Sequence, residues 1–136
     1  MEFLDTNVLV YAASGFPADA GKARVARSLS ADTGRAISLQ VLQEFYIAAR
    51  HPNKLAFTHE QAVAYCRQWR RFRVLEPTLG LFDDALSLCL RFGIGYYDSA
   101  ILAAARSLKC KVVYSEDLNA GQDYGGVRVE NPFRGI

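Results

Sequence analysis

Four acidic residues, far apart in the chain, stand where carboxylates are able to do chemistry: Asp5, Glu44, Asp98 and Asp117. Asp5 ends the apolar pair Phe3-Leu4. Glu44 lies two turns into a helical stretch that begins after Ser38. Asp98 opens another helical stretch, and Asp117 follows the run Lys111-Val112-Val113-Tyr114. In an open parallel sheet, ligands bind beyond the carboxyl ends of the strands, where loops lead into helices, so these four side chains are expected to converge on one end of the sheet. Like charges placed close together raise one another's pKa and strain the fold unless a cation neutralises them. Hard divalent ions such as Mg²⁺ or Mn²⁺ prefer oxygen ligands and are held well by two or more carboxylates with water. A site of that kind activates water and stabilises in-line displacement at phosphorus.

Each acid also has a plainer use. Asp5, in Asp5-Thr6-Asn7, serves equally as a cap for the next helix. Asp98 suits a first-turn position facing the helix dipole, and Asp117, in Ser115-Glu116-Asp117-Leu118, suits a turn. Glu44 is harder to place at the surface. At helical spacing Val41 and Ala48 flank it on one side and Ile47 on the other, which predicts a partly buried carboxylate in need of a partner.

The elements that must position these groups alternate between strand and helix. Phe3-Leu4, Ala36-Ile37, Arg73-Val74-Leu75, Lys111 to Tyr114 and Val127-Arg128-Val129 read as strands. Helices are predicted over Val8 to Ala13, from Pro17 through Ala18 to about Ala31, from Leu39 to about Arg50 behind a Ser38 cap, and from Glu60 to Phe72 behind a capping box at Thr58. Two more run from Leu79 to Phe92, closed by Gly93, and from Asp98 to Leu108. Such alternation implies one α/β domain over residues 1–136, with a central parallel sheet flanked by helices on both faces. Small residues at Ala100, Ala103, Ala104 and Ala105 either let the last helix lie close to the sheet or simply favour helix.

Composition bounds the class. The chain has 136 residues, 51% of them hydrophobic and 22% charged, as in ordinary globular domains. It has neither a basic signal-like start nor an apolar run near the ~18 residues of a membrane helix. Cys66, Cys89 and Cys110 form no C-x-x-C pair and His51 and His59 read as surface or cap residues, which argues against structural zinc. Buried, reduced cysteines fit a cytosolic protein. There is no G-x-x-x-x-G-K motif, which excludes P-loop nucleotide hydrolysis. Net charge is only +2, yet residues 1–75 carry ten Lys and Arg against six Asp and Glu, while residues 76–136 carry six against eight. A basic body around an acidic, ion-filled pocket suits a polyanion. Arg67, Arg70 and Arg71 share a helix face that either grips phosphates or is simply solvated, opposite a core-facing stripe of Ala62, Cys66 and Trp69. Tyr96-Tyr97 either stack on bases or pack at their helix start, with packing the better reading.

At this point the residues resemble the PIN-domain family, and within it the VapC-like toxin ribonucleases of bacterial toxin–antitoxin pairs. The resemblance spans nearly the whole chain. It rests on Phe3-Leu4-Asp5-Thr6-Asn7, on Ser38 through Phe45, on Tyr97-Asp98-Ser99-Ala100-Ile101-Leu102-Ala103-Ala104-Ala105, and on Tyr114-Ser115-Glu116-Asp117-Leu118-Asn119 through Gly121-Gln122 to Asn131-Pro132-Phe133. It implies that Asp5, Glu44, Asp98 and Asp117 are acidic metal ligands with Asn7 and Ser115 in support. Asp117 rather than Glu116 fits the family's hydroxyl-x-acid pattern. It further implies Mg²⁺- or Mn²⁺-dependent hydrolysis of RNA leaving 5′-phosphate and 3′-hydroxyl ends, a homodimer, a cognate antitoxin and a cytoplasmic location. Rival readings are a PIN nuclease of RNA processing that is not a toxin, an aspartate-based phosphatase or phospho-acceptor domain, and a non-catalytic binding relic. The phosphatase reading wants Asp-x-Asp where this chain has Asp5-Thr6-Asn7, and the four retained acids argue against a relic.

Overall fold

A computed structural model describes residues 1–136 as alternating strands and helices. In chain order these are β1 (Phe3–Leu4), α1 (Thr6–Ala13), α2 (Ala20–Ala31), β2 (Ala36–Ser38), α3 (Leu39–Arg50), α4 (His59–Trp69), β3 (Arg73–Leu75), α5 (Leu79–Phe92), α6 (Tyr96–Ser107), β4 (Val112–Tyr114) and β5 (Arg128–Glu130). The five strands form one parallel sheet in the order β3-β2-β1-β4-β5. Phe3 pairs with Ala36 on one side and Val113 on the other, and Leu4 with Tyr114. The chain therefore builds outward from β1 to β3, then returns across the sheet to β4 on the opposite side of β1. Right-handed crossovers place α1 to α4 on one face and α5 and α6 on the other. Successive strand residues point to opposite faces, and Phe3, Leu4, Ala36 and Ile37 are all fully buried, so the central strands are covered on both sides.

Local chemistry sets the helix boundaries. Asp5 caps α1, accepting from the Thr6 amide, and the Ser38 hydroxyl caps α3 through the Val41 amide. Thr58 and Gln61 complete a reciprocal capping box at α4, and α5 ends on Gly93 in the left-handed region with φ 64°. Two expected helices are shorter than their pattern implies. Pro17–Asp19 form a separate 3-10 turn ahead of α2, because the Ser14 hydroxyl holds Asp19 and bends the entry. Helix α4 stops at Trp69, not Phe72, because the buried Phe72 ring must leave the helix to stack on Trp69 at 6.0 Å. Of the three cysteines, all free, only Cys110 is buried.

Helix α3 carries Glu44 toward the sheet end and is anchored from below by the neighbouring Phe45. That ring is fully buried, packs edge-on against Trp69 at 5.7 Å and lies 6.1 Å from Tyr65. Phe45→Ala is expected to destabilise the fold by roughly 3–5 kcal/mol, since removing a buried ring leaves a cavity its neighbours cannot fill. Urea unfolding measures it, and a loss below 1 kcal/mol, which is about what a surface change costs, would refute the anchoring role.

Candidate metal centre

The order of the sheet reverses between β1 and β4, and the crevice above that switch point is where α/β sheets bind ligands. Asp5 leaves the end of β1 there, and Ser115, Glu116 and Asp117 leave the end of β4. The Asp5 amide donates to the Tyr114 carbonyl at 3.0 Å and the Ser115 amide to the Glu130 carbonyl at 3.0 Å, so both segments stay in sheet register as they enter the site. Glu44 arrives on α3 from one face of the sheet and Asp98 on the first turn of α6 from the other. The Gln40 amide ties the two helices by donating to the Tyr97 carbonyl at 3.1 Å. All four acids line a single cavity of about 490 Å³.

Asp5 is buried, and donors collect around it. The Thr6 amide donates to Oδ1 at 2.7 Å and the Ser115 hydroxyl to Oδ2 at 2.7 Å, with the Asn7 amide 3.4 Å from Oδ2. Asn7 is shared with the β4 loop: its Nδ2 lies 3.2 Å from Ser115 Oγ and 3.1 Å from Asp117 Oδ2, and its Oδ1 accepts from the Glu116 amide at 3.4 Å. The Asp117 amide in turn donates to Ser115 Oγ at 3.1 Å. Glu44 is oriented by the Thr6 hydroxyl, which donates to Oε1 at 2.7 Å. Asp98 is half-buried and takes no hydrogen bond.

Electrostatics follow this geometry. Burial pushes the Asp5 carboxyl up to about 6 against the hydrogen bonds of Ser115 and Thr6, and the charges of Asp117 and Glu44 push it further. Burial, then Asp117 and Glu44, raise Asp98 as well. The cluster thus carries more negative charge than its donors neutralise. No three of its side chains sit close enough to ligate an ion together as they stand. An all-oxygen set in which burial, with charge from its neighbours, raises Asp5 and Asp98 nonetheless fits Mg²⁺ or Mn²⁺. Mg²⁺ keeps several of its waters and is commonly held directly by only one or two carboxylates.

Several features escaped the sequence pattern. Glu116 lines the same cavity but is engaged elsewhere: the Tyr11 hydroxyl donates to it at 2.6 Å and Lys22 bridges to it at 3.0 Å. Burial and then the Glu116 bond raise the Tyr11 phenol, and the bonds to Glu116 and Tyr11 raise Lys22. Asp19 and Tyr11 also line the cavity, on segments with no distinguishing motif, and so does Thr6, inside the Phe3-Leu4-Asp5-Thr6-Asn7 block but with no role assigned to it there. Ile47, expected to help bury Glu44, is 65% exposed, so only the side of Val41 and Ala48 shields it. Arg67, Arg70 and Arg71 lie outside the cavity lining and do not share one helix face, because α4 ends before Arg70. Arg71 lies over the Phe72 and Trp69 rings and donates to the Ser30 carbonyl at 2.6 Å.

This fold and site define an α/β protein with an acidic pocket at the switch point of a parallel sheet. The chain belongs to the PIN-domain family, whose model matches residues 3–122. No curated protein sequence matches it. Its fold is similar to that of a chain in a toxin–antitoxin complex from Klebsiella pneumoniae, with 21% identity, 98% of each chain covered and a TM-score of 0.71. It is also similar to the Mycobacterium tuberculosis toxin VapC20, described as cleaving the sarcin-ricin loop, with 20% identity over 86% of this chain and 90% of that one, at a TM-score of 0.67. A third likeness is to VapBC2 from Rickettsia felis bound to promoter DNA, with 18% identity, 96% and 97% covered and a TM-score of 0.65.

Because the folded protein holds the Asp5 proton more tightly than the unfolded chain does, the metal-free fold loses stability as pH rises from about 4 to about 6. The penalty persists above that range. Asp5→Asn removes it, so the metal-free variant is expected to exceed wild type above pH 6 by up to about 3 kcal/mol, with the gap closing near pH 4. Thermal melts across pH in EDTA test this, and a variant less stable than wild type at pH 8 contradicts it.

Proposed function

We propose that the whole chain, residues 1–136, is a Mg²⁺- or Mn²⁺-dependent endoribonuclease acting as the toxin of a toxin–antitoxin pair. The carrying observation is the convergence of Asp5, Glu44, Asp98 and Asp117 on one cavity at the sheet's switch point, in a chain of the PIN-domain family. Bound there, the ion supplies Lewis acidity and activated water for in-line displacement at phosphorus. The protein's own part is to hold its donors still. Ser115 and Thr6 fix the Asp5 carboxylate, Thr6 fixes Glu44, and Asn7 spans Asp5 and Asp117. Asp98, with both oxygens free of hydrogen bonds, is the acid left to orient water or the ion. Asn7 and Ser115 touch the proposed ligands and so position them.

The partners follow the same reading. Toxin–antitoxin complexes among the similar folds support an antitoxin. An apolar groove between α3 and α4, bordered by Leu42, Ile47, Val63 and Cys66, shares Glu44 and Tyr97 with the acidic cavity, so a segment seated there would reach the site. An exposed stripe of Leu79, Phe82, Leu86 and Leu90 on α5 supports a homodimer. No helix is long and apolar enough to cross a membrane, and we place the protein in the cytoplasm. With Arg71 committed to its aromatic neighbours, Arg67 and Arg70 carry what remains of the proposed outlying phosphate grip.

Antitoxin-free protein incubated with total RNA is expected to cut it only with Mg²⁺ or Mn²⁺ present, leaving 5′-phosphate ends. Asp98→Asn should lower the rate by roughly a hundredfold or more while the melting temperature holds, and Ser115→Ala should weaken Mn²⁺ binding by about 10–100-fold. Cleavage that persists in EDTA, or an Asp98→Asn protein that cuts at the wild-type rate, would falsify the reading.

A further inference from the structure

The cavity's acidic residues account for the proposed ion but not for the exposed aromatic side chains that line it. Phe16 is 48% exposed and Tyr97 is 68% exposed, and both line this cavity from different elements. Neither is loosely held. The Phe16 amide donates to Ser14 Oγ at 3.3 Å, while Arg27 grips the carbonyls of Ala12 and Ser14 at 3.0 and 2.8 Å. The Tyr97 carbonyl is pinned by Gln40, and its ring is braced edge-on against Tyr96 at 5.3 Å. Lys54 is the one Lys or Arg in the cavity lining, and none of the molecule's salt bridges uses it. Four apolar side chains, Val10, Ala48, Leu55 and Ile101, line the same cavity.

Such a cavity, lined by acidic and apolar side chains with two exposed aromatic rings and one free cation, matches a nucleotide: phosphate toward the acids' proposed ion and the lysine, base against apolar and aromatic surface. Its volume, about 490 Å³, lies within the usual range of small-ligand sites. We infer that Phe16, Tyr97 and Lys54 form a substrate-gripping rim that takes an unpaired nucleotide, Phe16 and Tyr97 stacking on bases and Lys54 meeting a phosphate beside the scissile one. A base is able to stack on such rings only when it is free of its own helix. The inference rests on the ribonuclease reading and adds to it the residues that select the substrate.

The test measures binding apart from cleavage. Fluorescein-labelled RNA of mixed sequence, single-stranded or annealed to its complement, is titrated with the intact protein in Ca²⁺ and followed by anisotropy. Wild type should prefer the single strand. Tyr97→Ala and Phe16→Ala should each weaken that binding on the order of tenfold, Tyr97→Trp should restore it, and Lys54→Gln should reduce the salt slope by about one. Both aromatic side chains are exposed, so melting temperatures serve as the control for folding. Wild-type affinity in the two alanine variants, or equal binding of duplex, would overturn the inference and leave the rim to contacts with a protein partner. Wild type that binds single strands in this way yet never cuts RNA would instead sink the ribonuclease reading alone.

Discussion

A carboxylate buried at the end of a central strand must be met by donors or by a cation, and here the donors come from two other parts of the chain. Thr6 belongs to α1, and Ser115 sits more than a hundred residues away at the end of β4. Ser115 reaches Asp5 only because the chain, after building β2 and β3 on one side of β1, crosses back to lay β4 on the other. The hydrogen bonds lower the carboxyl's pKa without overcoming its burial, and the group remains near 6. A divalent ion of the kind proposed would relieve that residual penalty, so the burial that strains the metal-free fold would favour such an ion.

The β4 loop shows how one sequence step separates two acids by role. Glu116 and Asp117 are adjacent, yet successive side chains leave the strand end in different directions. Glu116 turns to Lys22 and Tyr11, in a packed corner where the Lys22 ammonium lies 4.8 Å from the Tyr11 ring centre and the Tyr11 ring meets Phe133 edge-on at 4.9 Å. Asp117 turns to Asn7 and the shared cavity. The lysine thus neutralises one carboxylate of the loop and leaves the other available.

Much of this was legible in the sequence because it depends on short-range rules. Apolar strand ends, caps at Ser38 and Thr58, and acids just beyond strands (Asp5, Asp117) or within helices (Glu44, Asp98) located the sheet and the four carboxylates together. What stayed hidden depends on distant pairing. Which of Glu116 and Asp117 is left uncommitted in the cavity turns on Lys22, ninety-odd residues earlier, and no periodicity relates them. Phe16 and Lys54 sit in loops, where a residue's type says little about direction. Ile47 misled for a different reason: its apolar character suits an outward groove as well as an inward core, and helical spacing alone does not distinguish them. Arg70 and Arg71 were read on a helix that in fact ends at Trp69, where tertiary stacking of Phe72 overrides helix continuation.

The central claim is that the convergent carboxylates exist to hold a divalent cation. Crystals of the purified protein soaked in Mn²⁺ and measured at the manganese absorption edge test it most directly. The anomalous peak is expected in the cavity bounded by Asp5, Glu44, Asp98 and Asp117, with direct or water-bridged contact to at least two of them, and it should vanish in Asp5→Asn crystals soaked alike. A cavity without a peak at saturating Mn²⁺, or a peak held by Glu116 and Lys22's surroundings instead, would contradict the account.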